Sequence, residues 1–385
     1  MSNGQSSQKL DRKTLLFATV TPLASILGSG LLIIVPVLEG VLGRWSFVGA
    51  LGVVAVAWLV GIAVRHGVRV VEPKSADGSL DTTTHRLEEV ADAVIVVAYV
   101  ISVALYLRIM AQYVVQYTAG GSDGLAERLI ACGAIALIVA IGVNRGFSGL
   151  DKLDRISLGV VLTLTTVLGV TLAVRNGIDL AGGDLTLPPV PGEGVVHTLL
   201  VLGGIVITVQ GFETVRYLGD TYDGPTRIRA SQVAQIAAAV IYVGFVLVST
   251  PVMGLGTDAG PDDTLIDITE RAAPLLVLPL VISAVLSQFS AATADTASAD
   301  GNLRGLSSWM KGPRPFLVSG VAALALAATV PTFTIVAVAS RAFAAYYAII
   351  AVVALRTCEG WPRKLGYGVL AALMLAIAAL AEPAG

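Results

Sequence analysis

Five ionisable side chains stand within long apolar runs of the sequence: Glu39, Arg108, Glu213, Asp295 and Arg341. A charge at the centre of a bilayer costs about 2.5–3.5 kcal/mol on insertion scales, so such groups face protein or water and serve ions, protons or substrates. Glu213 lies in Thr208-Val209-Gln210-Gly211-Phe212-Glu213-Thr214-Val215-Arg216. Either it faces a cavity near the middle of its run, or it pairs with Arg216 three residues on. Asp295 is placed to carry a proton or to help hold a cation. Arg341 falls ten residues into its run, about 15 Å by helical rise, and is expected to face the cavity rather than snorkel. Arg108 and Glu39 fall at similar depths, so they form a gate of opposite charges, or Arg108 snorkels to the nearer interface.

Two glycine-rich interruptions accompany these charges. The first run contains Ile26-Leu27-Gly28-Ser29-Gly30-Leu31-Leu32. Two glycines flanking a serine weaken a helix and turn backbone groups toward a cavity; the other reading is close helix packing on small residues. The sixth run is interrupted at Gly211, beside Thr208 and Gln210. An odd number of runs apart, the two broken helices are antiparallel. Corresponding interrupted helices in two inverted halves point to a midplane substrate site. Free N–H groups at a half-helix end hold an anion and free carbonyls hold a cation, chemistry that suits a zwitterion.

The elements that must carry these residues follow from composition. The chain has 385 residues, 55% hydrophobic and 14% charged, with a mean hydropathy of +0.81. Soluble domains average about 25% charged residues, so a soluble enzyme, a disordered chain and a nucleic-acid binder are excluded. The net charge of −2 also argues against a polyanion partner. Two cysteines, Cys132 and Cys358, and three histidines supply neither a disulfide framework nor a metal cluster. No cofactor is implied; the partners are the lipid bilayer and a small molecule. No nucleophile–base pair that would make an enzyme falls within one plausible pocket.

Eleven apolar stretches are long enough for helices to approach or cross a bilayer, at 14–43, 47–64, 90–117, 128–143, 156–174, 195–218, 231–253, 274–299, 315–330, 331–355 and 365–381. Their continuous character excludes barrel strands, which alternate. The predicted fold is an all-α integral membrane domain with eleven transmembrane helices. The tail before residue 14 and every second loop hold 19 of the 25 basic residues, and the alternate loops hold 4. The positive-inside rule then puts the N-terminus in the cytoplasm and the C-terminus outside a multi-pass cell-membrane protein. The tail reads as a cytoplasmic lead-in and not as a cleaved signal. Two loops on the other side, 178–193 and 258–271, are acidic and rich in Pro and Gly.

The sequence resembles the amino acid–polyamine–organocation (APC) superfamily, whose LeuT-type fold is a five-plus-five inverted repeat. Gly28-Ser29-Gly30-Leu31 resembles the first-helix G-S-G-[IV] motif. Gly211-Phe212-Glu213, followed by Asp223-Gly224-Pro225-Thr226-Arg227, resembles G-[FV]-E and a downstream N-P-x-R. Ala299-Asp300-Gly301 resembles the D-G that closes helix eight. The likeness covers residues 14–310, and it departs where Asp223-Gly224 replaces an acidic-x-Asn pattern and where eleven spans stand for the usual twelve. It implies one transporter domain, with repeats at 14–174 and 195–355, broken helices 1 and 6, and an extra helix at 365–381. It further implies a secondary active transporter of an amino acid or related small carboxylate-bearing amine; a different solute or an inorganic ion, and a non-transporting sensor, are the alternatives.

By position, the resemblance implies a substrate carboxylate on the N–H groups of Ser29 and Gly30 and on the Ser29 hydroxyl. An α-amino group would meet carbonyls near Ile26, Ile207 and Gln210, with Thr208 and Gln210 as polar lining. Ile207 replaces the aromatic gate of many relatives, which disfavours a large or cationic amino acid. The fifth span lacks the lysine that proton-driven relatives place there. Sodium as coupling ion would use carbonyls of Ala24 and Leu27 with Ser287 and Ser290, although Ala291 lacks the second hydroxyl. The alternative is that Ser287, Ser290 and Thr293 bond their own helix backbone. Tyr99, Tyr106, Tyr113, Tyr346 and Tyr347 read as packing or interface residues.

Overall fold

The computed structural model describes residues 11–121, 124–192, 194–253, 266, 269–270 and 274–381, without the side chains of 29, 31, 32, 147–154, 206, 207, 333 and 337. The described residues are almost all helical, and no strand occurs among them. An apolar chain in a bilayer must satisfy every backbone N–H and C=O within itself, which leaves helices as the available element.

Helix α1 (Arg12–Leu42) and α2 (Ser46–His66) lead through a π-helical turn (Gly67–Val71) into α3 (Glu72–Ala76). Then come α4 (Thr82–Ala119), α5 (Gly124–Arg145), α6 (Phe147–Gly182), α7 (Val195–Ile205) and α8 (Gly224–Met253). Helices α9 (Val277–Leu306), α10 (Arg314–Thr329), α11 (Thr332–Thr357) and α12 (Trp361–Leu380) complete the described chain. Eight segments are long and apolar enough to cross a membrane; α7 and α10 are shorter apolar helices. Each of the eleven apolar stretches read from the sequence falls on helix, and Pro331 starts α11 directly after the extended Val330. Of the second acidic loop, only 266, 269 and 270 lie within the described residues.

Helix ends carry local signals. Asp11 accepts the N–H groups of Lys13 and Thr14 at the start of α1, and Asp81 accepts that of Thr84 at the start of α4. Each supplies an acceptor for donors that the first helical turn leaves free. Arg356 of α11 also reaches Asp81 at 3.0 Å and Thr84 at 2.9 Å.

Helix α4 packs on α9, α11, α5 and α10, while α1 packs on α8, α9 and α2. The sixth stretch is the irregular one. After α7 the chain tightens into a 3-10 turn (Val206–Val209), breaks at Gln210-Gly211, and resumes as a 3-10 helix (Phe212–Leu218).

The first stretch differs from expectation: α1 is helical without interruption through Gly28-Ser29-Gly30. A Cβ at Gly28 would run into Ala291 and stand 2.6 Å from the Ser287 carbonyl oxygen; one at Gly30 would run into Thr208. The glycines serve close approach, which removes a side chain but opens no backbone hydrogen bond. In this conformation helix 1 is not a broken helix.

Candidate functional site

The site forms where the break at Gly211 meets α1, α4, α8, α9 and α11. Gly211 has φ 125°, a conformation that L side chains rarely adopt. A Cβ there would stand 2.6 Å from both the Ile26 nitrogen and the Ser25 hydroxyl oxygen. The break therefore presses on α1 one turn before its glycines. The Gly211 N–H donates to Glu213 Oε2 at 2.9 Å, and the Thr214 hydroxyl donates to the Gly211 carbonyl at 2.7 Å.

Two carboxyl groups are enclosed here, and both are fully buried. Asp295 of α9 accepts the Ser25 hydroxyl of α1 at 2.9 Å and is bonded to the Ser102 hydroxyl of α4, whose one proton serves either Asp295 or the Tyr99 carbonyl at 2.9 Å. Glu213 Oε2 also accepts the Tyr347 hydroxyl of α11 at 2.9 Å, and Oε1 has no hydrogen-bond partner. Phe212 stacks on Tyr347 with ring centroids 5.6 Å apart. Gln210 donates to the Tyr106 hydroxyl of α4. Among the described residues, no ion pair to a basic side chain is formed by either carboxyl group. Buried carboxylates without such partners are costly, so each group either keeps its proton or needs a positive charge brought beside it.

Backbone oxygens point into the same region. The Tyr242 hydroxyl of α8 lies 2.7 Å from the Ile26 carbonyl oxygen and 2.9 Å from that of Thr208. Its one proton serves one of them at a time. Gln288 of α9 donates to the Gly28 carbonyl at 2.6 Å, and its own amide oxygen has no partner. Tyr242→Phe should therefore lower the melting midpoint and cost about 1 kcal/mol, because the hydrogen bond that ties α8 to α1 and the break is lost. Thermal unfolding of the purified variant in detergent measures it; an unchanged midpoint would refute the tie.

Comparison with known proteins identifies the family and the fold. Residues 8–381 match a family model described as APC superfamily transporter. The chain belongs to the APC superfamily. An uncharacterized protein of Aquifex aeolicus (strain VF5) is 33% identical over 350 residues, covering 90% of this chain and 84% of that protein. Among solved structures, MhsT in complex with L-phenylalanine superposes with a TM-score of 0.69, covering 97% of this chain and 99% of that one at 13% identity. Mhp1, a nucleobase-cation-symport-1 family transporter with bromovinylhydantoin bound, gives 0.60 over 96% and 91% at 13% identity. A Na+-coupled sialic acid symporter gives 0.56 over 95% and 88% at 12% identity. These likenesses establish the LeuT-type fold, and the family and its fold neighbours are transporters, not enzymes.

In this APC superfamily member, the structure brings Ile26, Gly28, Gly30, Thr208, Gln210, Gly211, Glu213 and Asp295 to one place. The side chains of Ser29 and Ile207 lie outside the described residues. The α1 and α9 turns that carry Ala24, Leu27, Ser287 and Ser290 are in direct contact through Gly28 and Ser287. There the Ser287 hydroxyl donates to the Ala284 carbonyl at 3.1 Å, and that of Thr293 to the Ser290 carbonyl at 2.7 Å. Backbone bonding of this kind uses the hydroxyl proton and leaves oxygen lone pairs for a cation.

Two of the pairings weighed from the sequence are not formed, and one placement does not hold. Glu213 does not pair with Arg216, which reaches Glu88 of α4 instead; the break turns Glu213 inward toward its own Gly211 N–H. Arg108 pairs with Glu127 of α5 at 3.8 Å and donates to the Thr332 hydroxyl at 3.1 Å, leaving Glu39 half-buried elsewhere. Depth along a helix matched Arg108 with Glu39, but rotation about the axis chose the partner. Arg341 is exposed and does not join the enclosed carboxyl groups, for the same reason.

Both Arg108 and Glu127 are buried. Removing one partner of such a pair costs about 3–5 kcal/mol, whereas replacing both by apolar groups is often neutral. Glu127→Leu should thus destabilise more than the double variant Arg108→Met/Glu127→Leu. Unfolding midpoints of the three proteins decide it, and additive losses would refute the pairing.

Sequence reading missed Ser25, Ser102, Tyr242 and Gln288 as site residues, and set Tyr106 and Tyr347 aside as packing. Their signal was a polar group in mid-span, which is rarely without a purpose in a membrane.

Proposed function

We propose that the chain is a secondary active transporter of an amino acid or related small amine that bears a carboxylate. The observation that carries this reading is the pair of enclosed carboxyl groups, Glu213 and Asp295, flanking the Gly211 break beside the carbonyls of Ile26 and Thr208. An ammonium group suits that surrounding. The carboxylate would use N–H groups of Ser29 and Gly30, which requires α1 to loosen at its glycines in another state of the cycle. Fold neighbours include a structure with L-phenylalanine bound, and that lends an amino acid weight as cargo.

In this reading the eleven stretches are eleven spans, ten of them in two inverted repeats, with the N-terminus in the cytoplasm. Helix α1 and the 195–218 segment rock against the remaining helices around the midplane site. Coupling runs on protons through Asp295 and Glu213, or on sodium held between α1 and α9 by Ala24, Leu27, Ser287 and Ser290. The second reading keeps the fold and changes the cargo to a solute without an α-carboxylate. The uninterrupted α1 favours it, because its N–H groups stay within the helix.

Uptake of a radiolabelled amino acid pool into proteoliposomes tests both, under inward sodium or proton gradients and beside Ser290→Ala. Uptake that sodium alone drives and Ser290→Ala abolishes supports sodium coupling. Uptake driven by protons alone assigns coupling to the two carboxyl groups. No accumulation by folded protein under either gradient would overturn the amino-acid assignment.

A further inference from the structure

Where α3 and the π-helical turn pass the start of α8, the surface opens into a cavity of about 730 Å³. Its lining includes Arg69, Glu72, Arg227 and Arg229 with Val68 and Ile228. Glu72 is engaged by Arg227, which donates to both of its oxygens, at 3.1 and 2.5 Å. Arg227 Nη1 also donates to the Val215 and Arg216 carbonyls, while its buried Nε has no partner among the described residues. That leaves Arg69 and Arg229 as surplus positive charge, both exposed. Among the described residues Arg69 forms no ion pair, and Arg229 bonds only weakly, at 3.2 Å, with Gln232 three residues on. Asp223, the carboxylate nearest in sequence, caps α8 through the Thr226 N–H at 2.9 Å.

Arg229 sits seven residues before the exposed Ile236 on one face of α8, and Ile62 near the end of α2, ahead of the π-helical turn that carries Arg69, is exposed as well. Seven residues are two turns, about 10.5 Å along the helix. Val240, four residues beyond Ile236, is exposed too and lines a groove with Leu162, Thr166 and Val170 of α6. Helix α2 packs beside α8, and an exposed apolar strip on α8 leads from Arg229, on the rim of the cavity, along Ile236 to Val240. The π-helical turn lies at Arg69 itself, and such turns recur at functional sites.

We propose that this cavity is a binding site for an anionic phospholipid. Its phosphodiester sits between Arg69 and Arg229, and an acyl chain lies along Ile236 and Val240 of α8. Charge complementarity with the two surplus guanidinium groups selects an anionic headgroup, and the apolar strip selects a lipid over a free anion. The site is separate from the enclosed carboxyl groups, so the proposal stands independently of the substrate.

The test follows thermal unfolding of the full-length protein in detergent during titration with phosphatidylglycerol, phosphatidylcholine or inorganic phosphate. Phosphatidylglycerol is expected to raise the midpoint, and the other two to leave it unchanged. In Arg69→Gln/Arg229→Gln the half-saturating phosphatidylglycerol concentration should rise about thirtyfold, equivalent to about 2 kcal/mol. The charge-keeping Arg69→Lys/Arg229→Lys should retain most of the effect, as should the distant surface control Arg86→Gln. Equal stabilisation by phosphatidylcholine or by phosphate overturns the proposal. So does an unchanged titration in the Gln pair, provided that pair melts as wild type does without lipid.

Discussion

Replacing Asp295 by Asn is expected to reduce gradient-driven uptake to background while the protein remains folded. Asn keeps the shape of the carboxyl group and one acceptor oxygen, but it neither carries a proton through a cycle nor neutralises a cation. Ser25 and Ser102 converge on the two oxygens of Asp295 from α1 and α4. Each is a hydrogen bond to a buried carboxyl group, worth about 1 kcal/mol when that group is protonated and about 1.5–3 kcal/mol when it is charged. An Asn side chain offers one of these hydroxyls an N–H in place of an acceptor, so one bond survives with its original sense. Ser102→Ala removes one donor and leaves the carboxyl group, so its transport should fall about tenfold, and not to background. Initial rates in proteoliposomes, normalised to inserted protein, measure both. Full gradient-driven uptake by Asp295→Asn would end the coupling role and move attention to Glu213.

The second large effect is on folding. Gly211→Ala should leave little extractable, monodisperse protein, because two penalties fall on one residue. At φ 125° a side chain is strained by about 1–3 kcal/mol. The new Cβ would also stand 2.6 Å from the Ile26 nitrogen and the Ser25 oxygen, and overpacking costs typically about 1–3 kcal/mol more. Gly78 provides the control. It has φ 72° but open space around it, so Gly78→Ala meets the backbone penalty alone. A loss of melting midpoint at Gly211 several times that at Gly78 is expected from thermal unfolding of the two variants. Equal losses would show that the close approach to α1 is not what the glycine serves.

Much of this arrangement was legible in the sequence. The position of the break at Gly211 followed from a glycine between polar residues in an apolar run, and the chain breaks there. The motifs around Gly28, Gly211 and Asp300 pointed to the APC superfamily. At Gly28 and Gly30 the same residue type had two readings, an open helix or a close contact, and local sequence does not distinguish them. What decides is whether a neighbouring helix comes near, and α9 and Thr208 do.

The sequence by itself determined what depends on composition and period: a membrane protein, its apolar helices, the place of each charge along its helix, and the weak point of the sixth stretch. The solvent fixes these, because a bilayer admits an apolar helix and penalises a free backbone group wherever it falls along the chain. Only the tertiary structure decided which polar groups meet. Asp295 finds Ser25 and Ser102 at sequence separations of 270 and 193 residues, Arg108 takes Glu127 over Glu39, and Arg341 turns outward. Helical rise gives a residue's depth, whereas its direction around the axis is set by how whole helices pack, and that information is spread over every helix they touch.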